Sequence, residues 1–294
     1  MARSDIVADA ARIDASLSGL DALELPVARR QSFGRRAWAN VWPKLVAAGL
    51  FLLFWQVVVW SGWKPDYLLP GPFQVFETLG ENLDTLITAA GNTLLRAVQG
   101  FGLAVLIGTI VGAAVARVRV LRAGIGSMIT GLQTMPSIAW FPLAILLFKL
   151  SEGAILFVVV LGAAPSIANG LINGIDNIPP LYLRAGRVLG AHGISAFRHV
   201  ILPAALPAFV GGLKQGWAFA WRSLLAGELL VLISGKYSLG QQLETSSQFA
   251  DARGVIATMI VIFVVGVLID AVLFGTADRA IRRRYGLIDE SAAA

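Results

Sequence analysis

Five ionisable residues of this 294-residue chain fall inside or at the edge of long apolar stretches: Arg96, Lys214, Arg222, Glu228 and Asp270. A charged side chain at the centre of a lipid-embedded helix costs roughly 2.5–3.5 kcal/mol on insertion scales, so each group needs water, a partner or cargo. A guanidinium such as that of Arg222 can hold a planar or trigonal oxyanion group through paired hydrogen bonds. Glu228 lies six residues further on, about 240° around a helix, so the two do not meet on one face. Two readings of Arg222 therefore stand, an anion-attracting group on a pathway or an interhelical ion pair with a residue such as Asp270. Glu228 is likewise either a gate or a brace. Further pathway candidates are Gln133, Thr134, Ser137 and Trp140, then Asn169 and Asn173, then Trp217 and Trp221. Polar groups in spans more often bond helix to helix than touch cargo.

Other chemistries are excluded by composition. There is no cysteine, which removes disulfides, thiolate metal sites and cysteine nucleophiles. The two histidines, His192 and His199, do not make a His-rich metal site. A phosphate-cradling loop would read G-x-x-x-x-G-K-[ST]. The one Gly-Lys pair, Gly235-Lys236, is followed by Tyr237 and has no glycine five residues earlier. The chain thus carries no ATPase or catalytic site and no cofactor of its own.

The elements that must position these groups are membrane helices. Hydrophobic residues make up 56% of the chain and charged residues only 14%, against about 25% in soluble domains. Six stretches approach the roughly 20 apolar residues that a bilayer core requires: 44–61, 93–115, 124–148, 153–173, 204–232 and 254–277. They are continuously apolar, which argues for an all-α membrane protein and against a β-barrel. Pro136 and Pro142 should bend the third span. Small residues recur every fourth position at Ala104, Gly108, Gly112 and Ala116, and again at Ala208, Gly212, Gly216 and Ala220. Such rows serve either packing within the bundle or a contact between subunits.

With the N-terminus placed in the cytoplasm, seventeen of the 24 basic residues fall in cytoplasmic segments and four outside. Positive charge concentrates on the cytoplasmic side of membrane proteins, so both termini are expected there. The same bias accounts for the net charge of +6 without nucleic acid. The expected organisation is a tail over 1–43, a transmembrane domain over 44–278 and a second tail over 279–294. The first tail carries a basic cluster at Arg29, Arg30, Arg35 and Arg36, suited to anchoring at lipid headgroups or to docking a partner.

The loop between the fourth and fifth spans, about 176–203, has the most specific pattern. Pro179 and Pro180 suit a helix start. Leu181, Leu183, Ala185 and Leu189 form an incomplete apolar face, and Gly190 permits a turn. A second short helix is expected through Phe197, before Pro203 opens the fifth span. By physics alone, this pair of helices either projects into the cytoplasm or lies amphipathically on the membrane surface.

The segment resembles the signature of binding-protein-dependent ABC importer permeases: Glu-Ala-Ala, three residues, Gly, nine residues, Ile-x-Leu-Pro. Here it runs Arg184-Ala185-Gly186, Gly190, Val200, Leu202, Pro203, with both spacings kept. Arg184 replaces Glu and reverses a charge; Gly186 replaces Ala and Val200 replaces Ile. The resemblance extends from about Leu68 to Arg284 and points to the nitrate/sulfonate/taurine/bicarbonate-type branch. It is carried by Tyr67-Leu-Leu-Pro-Gly-Pro-Phe-Gln-Val75, Met135-Pro-Ser-Ile-Ala-Trp-Phe-Pro-Leu143, Ile201-Leu-Pro-Ala-Ala-Leu-Pro207 and Trp221-Arg-Ser-Leu-Leu-Ala-Gly-Glu228.

The resemblance implies a type I ABC importer permease with six transmembrane helices in a bacterial-type inner membrane, paired with a second copy. It implies two cytoplasmic ATPases, which would hold the ATP and Mg, and an extracytoplasmic substrate-binding protein. Leu183, Arg184, Ala185, Gly186, Arg187, Leu189, Gly190, Leu202 and Pro203 would form the coupling segment, with Leu183, Val188 and Leu189 as its apolar contact. Small anions are the implied cargo, a sulfonate or taurine first, then nitrate or bicarbonate. The rival readings are an ion-gradient-driven transporter, with Asp270 the one plausible coupling acid, and a scaffold that transports nothing.

Overall fold

A computed structural model of the chain describes residues 33–233 and 235–284, and all regular structure among them is helical. The tail over 1–28 and the basic pair Arg29 and Arg30 lie outside the described residues, as does the end of the C-terminal tail. Helix α1 spans Phe33–Trp60, so the backbone of Arg35 and Arg36 is part of it. Helix α2 (Pro72–Glu81) is short and α3 (Leu83–Arg117) long. Then come α4 (Arg119–Thr134), a 3-10 turn at Ser137–Trp140, α5 (Phe141–Phe148) and α6 (Glu152–Asp176). They are followed by α7 (Pro180–Val188), α8 (Gly193–Ala196) and α9 (Leu202–Leu230). Finally α10 (Leu239–Gln248), α11 (Ala252–Ile269) and α12 (Gly275–Arg284) complete the described chain.

Five helical stretches are long and apolar enough to cross a membrane: Val41–Trp60, Leu83–Arg117, Glu152–Asp176, Gly193–Leu230 and Ala252–Ile281. The sixth expected span is broken. Its halves, Val120–Thr134 and Ser137–Phe148, meet at 105°. The break falls at Met135–Pro136, where Met135 is extended (ψ 127°) because the ring of a following proline excludes the helical conformation. Pro142 causes no second bend, since it sits in the first turn of α5, where its missing N–H is not needed.

Helix α6 forms the centre. It runs parallel to α3 on one side: Gly100 meets Val159, Gly108 meets Ile167 and Gly112 meets Leu171, a constant offset along both chains. On the other side it runs antiparallel to α9, with Gly170 against Gly212, Gly174 against Ala205 and Gly162 against Ser223. A Cβ on Gly170 would stand 2.5 Å from the Cα of Gly212, so the two backbones touch. Ala104, Gly108 and Gly112, and equally Gly212, Gly216 and Ala220, are buried against α6. Six of the eight small residues are therefore spent within the bundle, while Ala116 is half-buried and Ala208 exposed. Dispersion between closely packed backbones is what holds helices together where lipid supplies no hydrophobic drive.

The second loop helix differs from expectation. Helix α8 does not end at Phe197 but passes through a π turn at Phe197–Ile201 into α9, giving one continuous helix from Gly193 to Leu230. Pro203 cannot donate to the carbonyl of His199. The widened turn just before it, closed by the N–H of Leu202 on the carbonyl of Phe197, accommodates the defect without breaking the helix. A similar turn at Asp270–Phe274 joins α11 to α12.

Candidate functional site

At one end of the bundle α7 and α8 form a projecting knuckle. Pro179 caps α7 and Pro180 occupies its first position. The helix closes in a Schellman motif: the N–H of Ala191 donates to the carbonyl of Gly186 at 2.8 Å, and that of Gly190 to Arg187 at 3.0 Å. The motif needs a left-handed residue after the cap, and Gly190 has φ +84° with open space around it. Its glycine therefore serves backbone conformation, whereas that of Gly186 serves packing. Gly186 is buried, and a Cβ there would lie 2.9 Å from Val200.

This splits the expected coupling residues between two faces. Leu183 is half-buried and, with Gly186 and Arg187, lines a recess of about 340 Å³ closed by Val200 and Ile201. The opposite face is open: Val188 is 88% and Leu189 86% exposed, and Ile194 on α8 is 83% exposed. Arg184, Ala185 and Arg187 are exposed beside them. Leu202 is exposed and Pro203 half-buried where the knuckle joins α9. The result is an apolar tip with a basic rim, built on a rigid two-helix support.

The third-span candidates sit at the break. Gln133 donates through Nε2 to Ser166 Oγ at 3.1 Å, and its Oε1 accepts from Asn169 Nδ2 at 3.2 Å. These bonds tie the end of α4 to α6 where the helix is interrupted. Ser137 is half-buried in the 3-10 turn, Trp140 packs against the core, and Thr134 bonds the carbonyl of Gly131. Asn173 is exposed near the end of α6.

Helix α9 distributes its candidates around its circumference. Trp217 is buried, edge-on to Phe101 at 5.2 Å between ring centroids, and stacked on Trp221 at 6.2 Å. Arg222 is exposed, bonded through Nε to the carbonyl of Ala218 at 3.0 Å and lying 4.9 Å over the ring of Phe219. The suggested pair of Arg222 with Asp270 does not form. Asp270 instead accepts Lys214 at 3.2 Å, because the turn of α9 facing α11 there is the one carrying Lys214.

Glu228 is 1% exposed and is the hub of a buried network at the end opposite the knuckle. One carboxylate oxygen accepts Arg96 Nη1 at 3.0 Å; the other accepts Thr93 Oγ1 at 2.9 Å and the backbone N–H of Gly240 at 3.1 Å. Thr93 Oγ1 in turn accepts the N–H of Leu239 at 2.9 Å. Arg96 Nη2 lies 3.6 Å from Glu152, which also accepts Lys236 Nζ at 2.6 Å. Four segments, α3, α6, α9 and the start of α10, thus meet on two carboxylates. This geometry is that of a brace. Sequence reasoning missed Arg96 as its partner, although two opposite charges buried in different spans were the available signal. It missed α10 too, whose start is marked by Ser238-Leu-Gly-Gln241, a Ser–x–x–Gln capping pattern. Ser238 does accept the N–H of Gln241 at 3.3 Å.

Known proteins match this chain over most of its length. A protein of Brucella melitensis named a probable ABC transporter permease is 30% identical, over 80% of this chain and 97% of its own. The bicarbonate transport system permease protein CmpB of Synechococcus elongatus is 30% identical, over 75% and 82%. The taurine transport system permease protein TauC of Escherichia coli is 28% identical, over 81% and 86%. Among solved structures, a chain of the MetNI methionine ABC transporter in an inward-facing conformation superposes with a TM-score of 0.58 at 20% identity. It covers 68% of this chain and 98% of that one, which establishes the type I ABC importer permease fold. Residues 83–283 match the family described as binding-protein-dependent transport system inner membrane component. This chain belongs to that family and is a multi-pass ABC transporter permease.

Proposed function

We propose that this permease carries a small anion inward in an ATP-driven assembly of two permease copies, two cytoplasmic ATPases and an extracytoplasmic binding protein. The observation that carries the reading is the apolar tip of Val188, Leu189 and Ile194, held out on a helix pair that the Schellman turn fixes. Apolar area of this kind is covered in a working assembly, and a basic rim at Arg184 and Arg187 suits a groove edged with carboxylates. With this end in the cytoplasm, Arg184, Arg187 and Arg198 fall on the cytoplasmic side, in keeping with the bias of positive charge toward it.

A sulfonate such as taurine is the first choice of cargo, with bicarbonate and nitrate next. TauC and CmpB are named for the first two. Arg222, exposed on α9, supplies a guanidinium for such a group. The test is uptake into proteoliposomes that hold the permease, its ATPase subunits and its binding protein. Labelled taurine, bicarbonate and nitrate are offered with ATP or with a non-hydrolysable analogue. Accumulation of one of them that requires hydrolysis supports the reading. Uptake without ATP that collapses with an ionophore would replace it with a gradient-driven carrier, and no uptake of any anion would remove the cargo assignment.

A further inference from the structure

Two cations, Lys214 and Arg222, stand exposed along the length of one apolar helix, α9. From Leu202 to Leu230 the exposed residues of α9 are Leu202 and Leu230 at the ends and, between them, Ala208, Gly211, Lys214, Gln215, Ala218 and Arg222. No large apolar side chain is exposed between the two leucines. Helix α3 behaves oppositely, exposing residues such as Leu106 and Ile110, while Phe263 and Val267 of α11 line one recess with Arg222. At 100° per residue, five of the six central positions fall within about 80° of one another, and Lys214 flanks them.

The depth of this face follows from its neighbours. Ser223 stands opposite Gly162, ten residues into α6, which places Arg222 about 15 Å below the Glu152 end. Lys214 lies eight residues, about 12 Å, further toward the knuckle. In an apolar zone about 30 Å thick this puts Arg222 near mid-depth, where a cation facing hydrocarbon is strongly disfavoured, and Lys214 toward the knuckle-side edge. Lys214 is neutralised by Asp270, both about half exposed. No carboxylate among the described residues lies within ion-pair distance of Arg222.

We infer that Lys214, Gln215 and Arg222 are specificity-determining residues that face a water-filled anion path, with α9 forming its wall. The inference rests on the permease reading above and adds the groups that select charge. An anion entering from the Glu152 end meets the unneutralised Arg222 first. One helical stretch further in it meets Gln215 and a lysine whose attraction is tempered by Asp270. Falling attraction along the path allows release, which a second full-strength cation would hinder.

Because the chain has no cysteine, single-cysteine variants report water access directly. Ala218→Cys and the α3 control Leu106→Cys are placed in the full assembly in proteoliposomes. Each is treated with the anionic methanethiosulfonate MTSES or the cationic MTSET. The inference expects Ala218→Cys to react with both, MTSES about tenfold faster after normalisation to a free thiol, the scale of electrostatic focusing in a charged cleft. Adding Arg222→Gln should bring that ratio close to one, and Leu106→Cys should stay unreactive. Ala218→Cys as inert as the control, or cross-linked to its counterpart in a second copy by oxidant, overturns the inference in favour of a lipid or subunit contact. Equal rates for the two reagents overturn the charge selection. Uptake by the unsubstituted protein in the same vesicles is scored separately, so loss of the permease reading is distinguishable from loss of this one.

Discussion

Replacing Glu228 by Gln keeps the volume of a buried side chain but removes the nearer of the two carboxylate charges facing Arg96. Its two oxygens accept from three donors, Arg96, Thr93 and the N–H of Gly240. An amide offers only one acceptor, so its NH₂ must point at a donor in either orientation. Breaking a buried ion pair from one side costs about 3–5 kcal/mol. Glu152, 3.6 Å from Arg96 Nη2, offsets part of this and places the expected loss near the lower end. Arg96→Gln should cost a similar amount by orphaning Glu228. The double variant removes both charges and should cost at least about 2 kcal/mol less than the sum, a coupling expected for residues in direct contact. The assay is denaturation of the four proteins in mixed detergent–SDS micelles. Losses that add to within about 0.5 kcal/mol would refute the brace, since independent sites add that closely.

Four further outcomes follow from the packing and the turns. Gly170→Ala places a methyl 2.5 Å from the backbone of Gly212, where nothing flexible can yield, so it should destabilise by about 1–3 kcal/mol in the same denaturation assay. Gly102→Ala, with no atom near its added methyl, should leave stability unchanged or raised. Gly190→Val forces a branched side chain into a left-handed conformation, a cost of at least about 1–2 kcal/mol. It should abolish stimulation of the partner ATPase while membrane insertion, measured by protease protection, stays intact; unaltered stimulation would show that the turn does not set the knuckle. Gln133→Leu removes the bonds to Ser166 and Asn169 and should loosen the junction at the break, read as faster hydrogen exchange at residues 131–140.

The apolar runs and prolines made much of the architecture legible. Continuous hydrophobic stretches marked the five long apolar helices and both halves of the bent pair, since lipid admits little else. Pro136 marked the break because its effect is local and steric, and Gly190 marked the helix end because a Schellman turn needs its backbone freedom. Partners between elements were another matter. Lys214 and Arg222 sit eight residues apart on α9, and which of them meets Asp270 depends on the rotation of α11 against α9, a tertiary quantity. The small-residue rows were visible as rows, but that the glycines of both face α6 follows only from its central position. The buried brace had to be found as a pair, and reading along α9 alone directed attention from Glu228 to Arg222.

The backbone contact of Gly170 with Gly212, together with the constant register of α3 on α6, leaves those three helices almost no room to slide past one another. They therefore behave as a stiff lever. A push on the knuckle would swing α3, α6 and α9 as one plank, and the bending must be absorbed at the joints: the elbow at Met135–Pro136 and the two wide turns at Phe197–Ile201 and Asp270–Phe274.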